Sequence, residues 1–284
     1  FQMGFAGSSG GVQSRVLLVD SVVTCIIGLF ILFFPHLFAD FLFQKSTDGV
    51  HWHLLRCVGG QILTSGFVNA RLRNSSPAAR TVCYLLRITS AMIVLMLVYQ
   101  SRSQTPALLN PEFLEFARVS SFGALFLYLA FLLYNMWPVG TSFAHENKIG
   151  NILYQLDCMA SVMIGLAWLT FPKFLLHRQV NITLDESHEL CGRLLGAFFV
   201  SHLHISQHAL HWPSVKDRNI VVDSRVVCCA AILSAQIWSQ HAYHDVWSGN
   251  HWVGISLFST WSVIAFIYRA YLTFFAAETK TKSC

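Results

Sequence analysis

Eight apolar segments, each about as long as a bilayer is thick, are the feature that most constrains the fold of this chain. A membrane-crossing helix needs about 20 apolar residues, and a single segment can cross only as a helix because its backbone polar groups must be satisfied internally. Only 12% of the residues are charged, against roughly 25% in soluble domains. The sequence therefore predicts an all-α integral membrane protein with eight transmembrane helices, at residues 16–37, 51–70, 81–100, 113–137, 151–171, 187–209, 225–246 and 250–275.

An internal repeat divides the chain into two halves. Residues that are rare in apolar segments recur 137 positions later: Asp20, Gly28, Pro35, Arg56 and Gly59 match Asp157, Gly165, Pro172, Arg193 and Gly196. In the third helix of each half the alignment shifts by eight residues, which places Arg80 over Arg225 and Ile232 opposite Arg87. Four helices per half return the chain to its starting side, so the pattern predicts two tandem parallel four-helix repeats with pseudo-symmetry.

The charges of the loops predict the orientation. Basic residues concentrate on the side of the N-terminus, which the positive-inside rule assigns to the cytoplasm together with the C-terminus. Asn181-Ile-Thr is a glycosylation acceptor pattern on the opposite side, whereas Asn74-Ser-Ser lies on the cytoplasmic side and is expected to stay unmodified. We expect a secretory-pathway or plasma membrane protein organised as a cytoplasmic tail (1–15), first repeat (16–137), cytoplasmic linker (138–150), second repeat (151–275) and cytoplasmic tail (276–284).

Ionisable residues inside the predicted helices are costly, so each is a candidate for a charge pair or a functional site. The predicted charge-pair residues are Asp20, Arg87, Arg56 and Asp157. Asp20 and Arg87 lie at similar depth and are expected to pair, and Arg225 is the nearest candidate partner of Asp157. Arg56 precedes a glycine by one helical turn, a pattern that suits close helix packing.

The second half is more polar inside than the first. Its second helix has a stripe of polar side chains at helical spacing, and its third helix has another. The two stripes are expected either to line a hydrated cavity or to hydrogen-bond each other. The predicted binding residues are Arg193, Ser201, His204, His208, Gln236, Gln240, His241 and His244.

The histidines do not predict a metal site. His204, His208 and His211 lie near the cytoplasmic end of one predicted helix, and His241 and His244 lie near the outer end of the next. Two groups separated by most of a bilayer cannot share one ion, so neither a metal nor a cofactor is expected. None of the common nucleotide-binding, hydrolase or metalloprotease motifs occurs.

Three functions remain compatible with the sequence. The first is binding or translocation of a small solute or ion through the polar interior of the second repeat. The second is a non-catalytic accessory or assembly subunit of a membrane complex, and the third is a membrane-embedded lipid-modifying enzyme. The expected partners are membrane lipid and either a membrane protein or a second copy of the chain. Nucleic acid is not expected, because the basic residues lie scattered in short loops.

Overall fold

The structure is a computed structural model that describes residues 6–140, 143 and 147–274. These residues form helices joined by short connections, with two isolated β-bridges and no strand. The prediction of an all-α protein is confirmed. The helices are α1 (Ala6–Phe33), α2 (Pro35–Leu42), α3 (Gly49–Leu72), α4 (Pro77–Gln104), α5 (Pro111–Tyr134), α6 (Lys148–Thr170), α7 (Pro172–His177), α8 (Glu186–Ala209), α9 (Val215–Ala242) and α10 (His251–Phe274). A 3₁₀ turn, His244–Val246, follows α9.

Six helices of the described residues are long and apolar enough to cross a membrane: α1, α4, α5, α6, α9 and α10. They indicate a membrane protein. The two remaining long helices, α3 and α8, are more polar, and most of their side chains are buried among the other helices. Their polarity matches their place at the centre, where neighbouring helices replace lipid as the surroundings.

Proline sets the boundaries of the first helix in each half. Pro35 and Pro172 begin the short helices α2 and α7, because proline lacks the N–H that a helix interior requires but fits a first turn. The predicted first segment reached residue 37, whereas α1 ends at Phe33. At its other end α1 begins at Ala6, so residues 6–15 of the predicted tail are helical. No proline interrupts those residues, and the helix extends beyond its apolar part.

α3 and α8 lie side by side and run in the same direction. The His51 ring nitrogen Nε2 is 2.7 Å from the Ser187 hydroxyl near the start of both helices. About four turns later, the Ser65 hydroxyl is 3.0 Å from His202 Nε2. Because the two contacts follow in the same order along both helices, α3 and α8 are parallel.

Each central helix has one neighbour from its own half at very short distance. α1 packs on α3 and α6 packs on α8. A Cβ atom added to Gly59 would lie 2.9 Å from the carbonyl oxygen of Gly28, and one added to Gly196 would lie 2.6 Å from that of Gly165. Such backbone contact requires glycine, because any side chain at these positions would meet the facing backbone.

The third helix of each half packs on the central helix of the other half. α4 packs on α8, where the Thr89 hydroxyl is 2.9 Å from His204 Nε2, and α9 packs on α3. α5 then covers α4, and α10 covers α9. Consecutive helices α8 and α9 are therefore mostly apart, although the chain connects them directly.

The contacts correct the predicted alignment of the third helices. Arg87 of α4 binds Asp20 at 2.8 Å, and Arg225 of α9 binds Asp157. Arg225 thus takes the place of Arg87, with a shift of one residue in the alignment where the sequence suggested eight. The eight-residue shift followed a local match of residue types, whereas both helices begin after a capping serine, Ser76 in α4 and Ser214 in α9.

Candidate functional site

A cavity of about 410 Å³ lies in the second half, between α6, α9 and α10. Its walls are apolar and include Leu153, Ile164, Val222, Leu257, Ile264 and Ala265. Asp157 and Arg225 also line the cavity, although each is at least nine-tenths buried. The result is an apolar space beside a buried ion pair.

Several contacts hold the buried ion pair in place. Arg225 donates a hydrogen bond to Asp157 and is 3.3 Å from the Ser161 hydroxyl. Ser206 donates to the same carboxylate oxygen, Oδ2. The Arg225 guanidinium lies 4.8 Å from the ring centroid of Trp261, which favours the cation electrostatically. Pairing of this kind offsets the cost of removing both charges from water.

The corresponding pair of the first half is held by similar contacts. The Asp20 carboxylate accepts hydrogen bonds from Arg87 and Asn69. Arg87 additionally donates to Thr24. Tyr128 of α5 is 2% exposed.

In the second half the equivalent tyrosine is Tyr268. It has the same position in α10 as Tyr128 has in α5, and its hydroxyl accepts a hydrogen bond from Asn147 at 2.9 Å. Within the described part of the chain, Asp157 Oδ1 and Arg225 Nε have no hydrogen-bond partner. The two halves thus differ in how the space beside the ion pair is used.

A second cavity of about 400 Å³ adjoins the first, and both are lined by Ile164 and Leu257. It extends between α6, α3 and α10 to the 3₁₀ turn after α9, and it is also mainly apolar. Its polar lining includes Arg178, Gln179 and Asn250 near that turn. The two cavities together form a groove along α6 and α10, apolar at one end and polar at the other.

The polar side chains of the predicted α8 stripe do not converge on a single cavity. Arg193 is 3.4 Å from a glutamate one turn earlier on the same helix, and Ser201 donates to the backbone of its own helix. His204 contacts Thr89 of α4, and the His208 ring bonds the His204 carbonyl at 3.0 Å. These side chains bond within α8 or contact the first half of the chain, and none of the four lines either cavity.

The polar stripe of α9 is dispersed as well. Gln236 is buried and lines the second cavity, and Gln240 is 2.6 Å from the His251 ring. His241 is exposed, and the side chain of His244 is 71% exposed. The expectation that the α8 and α9 stripes face each other is wrong, because these helices pack on opposite halves.

The remaining predicted residues lie at the end of the molecule where α3 and α8 begin. Arg56 is 3.4 Å from the Tyr243 hydroxyl and lies 5.9 Å from the Trp238 ring centroid. Asn181 is exposed, and its side-chain amide donates to the Trp247 carbonyl at 3.1 Å. Both arrangements are compatible with an interfacial position.

Sequence analysis did not identify Ser161, Ser206 and Trp261 as parts of the site. Ser161 and Ser206 are 137 residues after Thr24 and Asn69, which bind the equivalent ion pair. The repeat offset could therefore have found the two serines. Trp261 left no such signal, because its position in α10 corresponds to that of Ser121 in α5.

Comparison with known proteins gives a family and no described relative. No curated protein matches the chain, and no solved structure matches it. A family model described as "Domain of unknown function (DUF8292)" matches residues 18–270, which include every helix that lines the groove. The chain therefore belongs to the DUF8292 family.

Proposed function

We propose that this chain is a membrane protein that binds an amphipathic lipid in the groove along α6 and α10. The observation that carries the proposal is the pair of adjoining cavities, about 410 and 400 Å³, with apolar walls and polar residues at one end. Ligand sites are commonly cavities of about 300–1,000 Å³ that are mostly apolar with a few placed polar groups. An acyl chain suits the apolar part, and a polar headgroup suits the end near Arg178.

The headgroup end favours an anionic lipid. The Arg178 guanidinium lies 4.4 Å from the Phe174 ring centroid, and it is at the mouth of the second cavity beside Gln179 and Asn250. Arginine binds phosphate and carboxylate oxygens through a planar set of donors. The side-chain amides of Gln179 and Asn250 add both hydrogen-bond donors and acceptors.

Lipid binding has more support than translocation of a polar solute. The side chains expected to line a polar path are dispersed: His204 contacts α4, Gln240 contacts α10, and His244 is exposed. A path for a polar solute requires such groups to follow one another through the molecule. The groove instead is continuous only along apolar side chains.

We also propose that α3 and α8 cross the membrane, giving eight spans in two parallel repeats with both termini in the cytoplasm. Recurring contacts support this arrangement: Asp20 and Asp157 bind arginines, and Gly28–Gly59 and Gly165–Gly196 join the first two long helices of each half. The isolated bridges Phe43–Leu109 and Val180–Trp247 recur in the same way.

Copurified lipid tests the binding proposal. The protein is purified in a mild detergent, and native mass spectrometry measures the lipid that remains bound. Leu257→Trp places a larger side chain where the two cavities meet, and we expect it to reduce retained lipid at least tenfold. Ile267→Trp is the matched control, since Ile267 lies on the same helix, is 65% exposed and does not line the groove.

The headgroup part of the proposal has its own variant. Arg178→Gln removes the cation at the groove mouth, and we expect the retained lipid to change from anionic to neutral species. Equal lipid retention by the wild type and Leu257→Trp, at matched folding, would overturn the proposed site.

A further inference from the structure

The N-termini of α3 and α8 meet in a cluster of two aspartates and two histidines. Asp48 and Asp185 cap the two helices, and His51 and His188 lie three residues after them. The histidine rings lie against each other, with centroids 3.8 Å apart. None of the four residues lines the proposed lipid groove, so the inference does not depend on that proposal.

One carboxylate of the cluster contacts a histidine from each half. Asp48 Oδ1 is 3.0 Å from His51 Nδ1, and Asp48 Oδ2 is 3.0 Å from His188 Nε2. The three potential ligand atoms of these residues all lie within 4.8 Å of one another. Ligands of one tetrahedral ion at metal–ligand distances of about 2.0–2.2 Å lie within such a span.

The other nitrogen of each histidine also has a partner. His188 Nδ1 is 2.9 Å from Asp185 Oδ1, and His51 Nε2 is 2.7 Å from the Ser187 hydroxyl. In the described structure the Nδ1 atoms of His51 and His188 accept the backbone N–H groups of Asp48 and Asp185, each at 3.2 Å. A bound ion would replace these two contacts, with protons on His188 Nδ1 and His51 Nε2 and the lone pairs of His188 Nε2 and His51 Nδ1 on the metal. Metal-binding histidines characteristically donate their second N–H to a carboxylate or another oxygen, which sets the tautomer and the ring orientation.

Helix capping accounts for only part of this arrangement. A capping box needs an aspartate and the residue three positions later on the same helix, and both helices have one. The contacts from His188 to Asp48 and from His51 to Ser187 instead connect one half to the other. Capping does not require them, and they bring potential ligand atoms from both halves together.

Access and charge also suit a bound cation. His51 and His188 are buried, while the side chain of Asp48 is 42% exposed, so one side of the cluster is open to water. Lys45 pairs with Asp185 and offsets the charge of that carboxylate alone.

We propose that Asp48, His51 and His188 form a binding site for a divalent transition-metal ion of the Zn²⁺ class. Two imidazoles and a carboxylate are ligands of this class, and water from the open side completes a four-coordinate ion. Asp185 and Ser187 orient the two rings. Because its ligands come from both halves, the ion joins α3 to α8.

Binding of Co²⁺ and Zn²⁺ to the purified protein tests the site. We expect one equivalent of Co²⁺ to give the visible absorption of four-coordinate cobalt, and Zn²⁺ to displace it and to raise the unfolding temperature. His188→Ala removes a ligand and is expected to weaken binding at least 100-fold. Asp185→Asn changes only the carboxylate that contacts Nδ1 of His188, and it is expected to weaken binding by about 10- to 100-fold.

His244→Ala is the matched control. His244 is 2.8 Å from Asp245 but highly exposed, and we expect its substitution to leave Co²⁺ binding unchanged. Wild-type protein that shows neither the cobalt absorption nor a Zn²⁺-dependent rise in unfolding temperature would overturn the proposal. Should His188→Ala fail to fold, X-ray absorption of the wild-type Co²⁺ complex decides: two imidazole ligands support the site, and any other number overturns it.

Discussion

At the scale of single residues, the two equivalent ion pairs have different neighbouring residues. Asp20 and Asp157 each bind an arginine from the third long helix of their own half. Asn69 donates to Asp20 in the first pair and Ser206 donates to Asp157 in the second, and an apolar cavity lies beside the second pair. The smaller serine thus accompanies the change from an ion pair bonded to an asparagine to an ion pair beside a candidate ligand site.

Glycine at the helix contacts gives a prediction at this scale. Gly196→Ala would place a methyl group 2.6 Å from the Gly165 carbonyl oxygen, and α6 would have to move away from α8. Overpacking of this kind costs about 1–3 kcal/mol. We therefore expect a lower free energy of unfolding in detergent, measured by chemical denaturation.

Gly123→Ala is the control for that measurement. No atom lies within 4 Å of the position where its Cβ would be, so we expect unchanged or slightly higher stability. A loss of stability at Gly123 equal to that at Gly196 would show that the contact distance is not the cause.

At the scale of helices, the polar side chains of α3 and α8 hold neighbouring elements together. Ser65 of α3 contacts His202 of α8, and Thr89 of α4 contacts His204 of the same helix. These contacts explain why the central helices are less apolar than the outer six. Hydrogen bonds between membrane helices add specificity with modest energy, about 0.6 kcal/mol on average.

The predicted binding histidines differ in whether they contact a neighbouring helix, and this difference gives a prediction. His204→Leu removes the hydrogen bond to Thr89 from a half-buried contact, and we expect unfolding at a lower temperature with a cost of about 0.5–1.5 kcal/mol. His244→Leu changes an exposed side chain and is expected to leave the unfolding temperature unchanged. Thermal unfolding of both variants measures the difference, and equal destabilisation would contradict it.

At the scale of the whole molecule, the parallel central helices place the two glycosylation patterns at opposite ends. Asn181 precedes the start of α8, and Asn74 follows the end of α3. Both side chains are exposed. With α3 and α8 crossing the membrane in the same direction, as proposed above, only one of the two asparagines faces the lumen of the secretory pathway.

The loop charges predict which asparagine that is. We expect a glycan on Asn181 and none on Asn74 when the chain is produced in a eukaryotic host. Mobility shifts after glycosidase treatment of Asn181→Gln and Asn74→Gln measure this directly. A glycan on Asn74 would reverse the proposed orientation, and glycans on both would contradict the parallel arrangement.

Helix positions and special residues could be predicted from the sequence because their causes are local. Long apolar runs identified the helical segments, and Pro35 and Pro172 marked where α1 and α6 end. The repeat offset drew attention to Asp20, Asp157 and the four glycines, all of which lie at helix contacts. The recurring Asp48-x-x-His51 and Asp185-x-x-His188 patterns are equally visible, but each also fits the cap of its own helix, and no local signal predicts that the two caps meet.

Only the tertiary structure decided which helices are neighbours. An apolar face shows that a helix packs against something, but it does not identify the partner. The polar stripes of α8 and α9 were therefore expected to meet, although α8 packs on α4 and α9 packs on α3. Likewise, no local pattern predicts that His188 contacts Asp48, which is 140 residues away, or that Tyr268 contacts Asn147. Composition and periodicity determined a bundle of apolar helices, and long-range packing determined its cavities and its histidine–aspartate cluster.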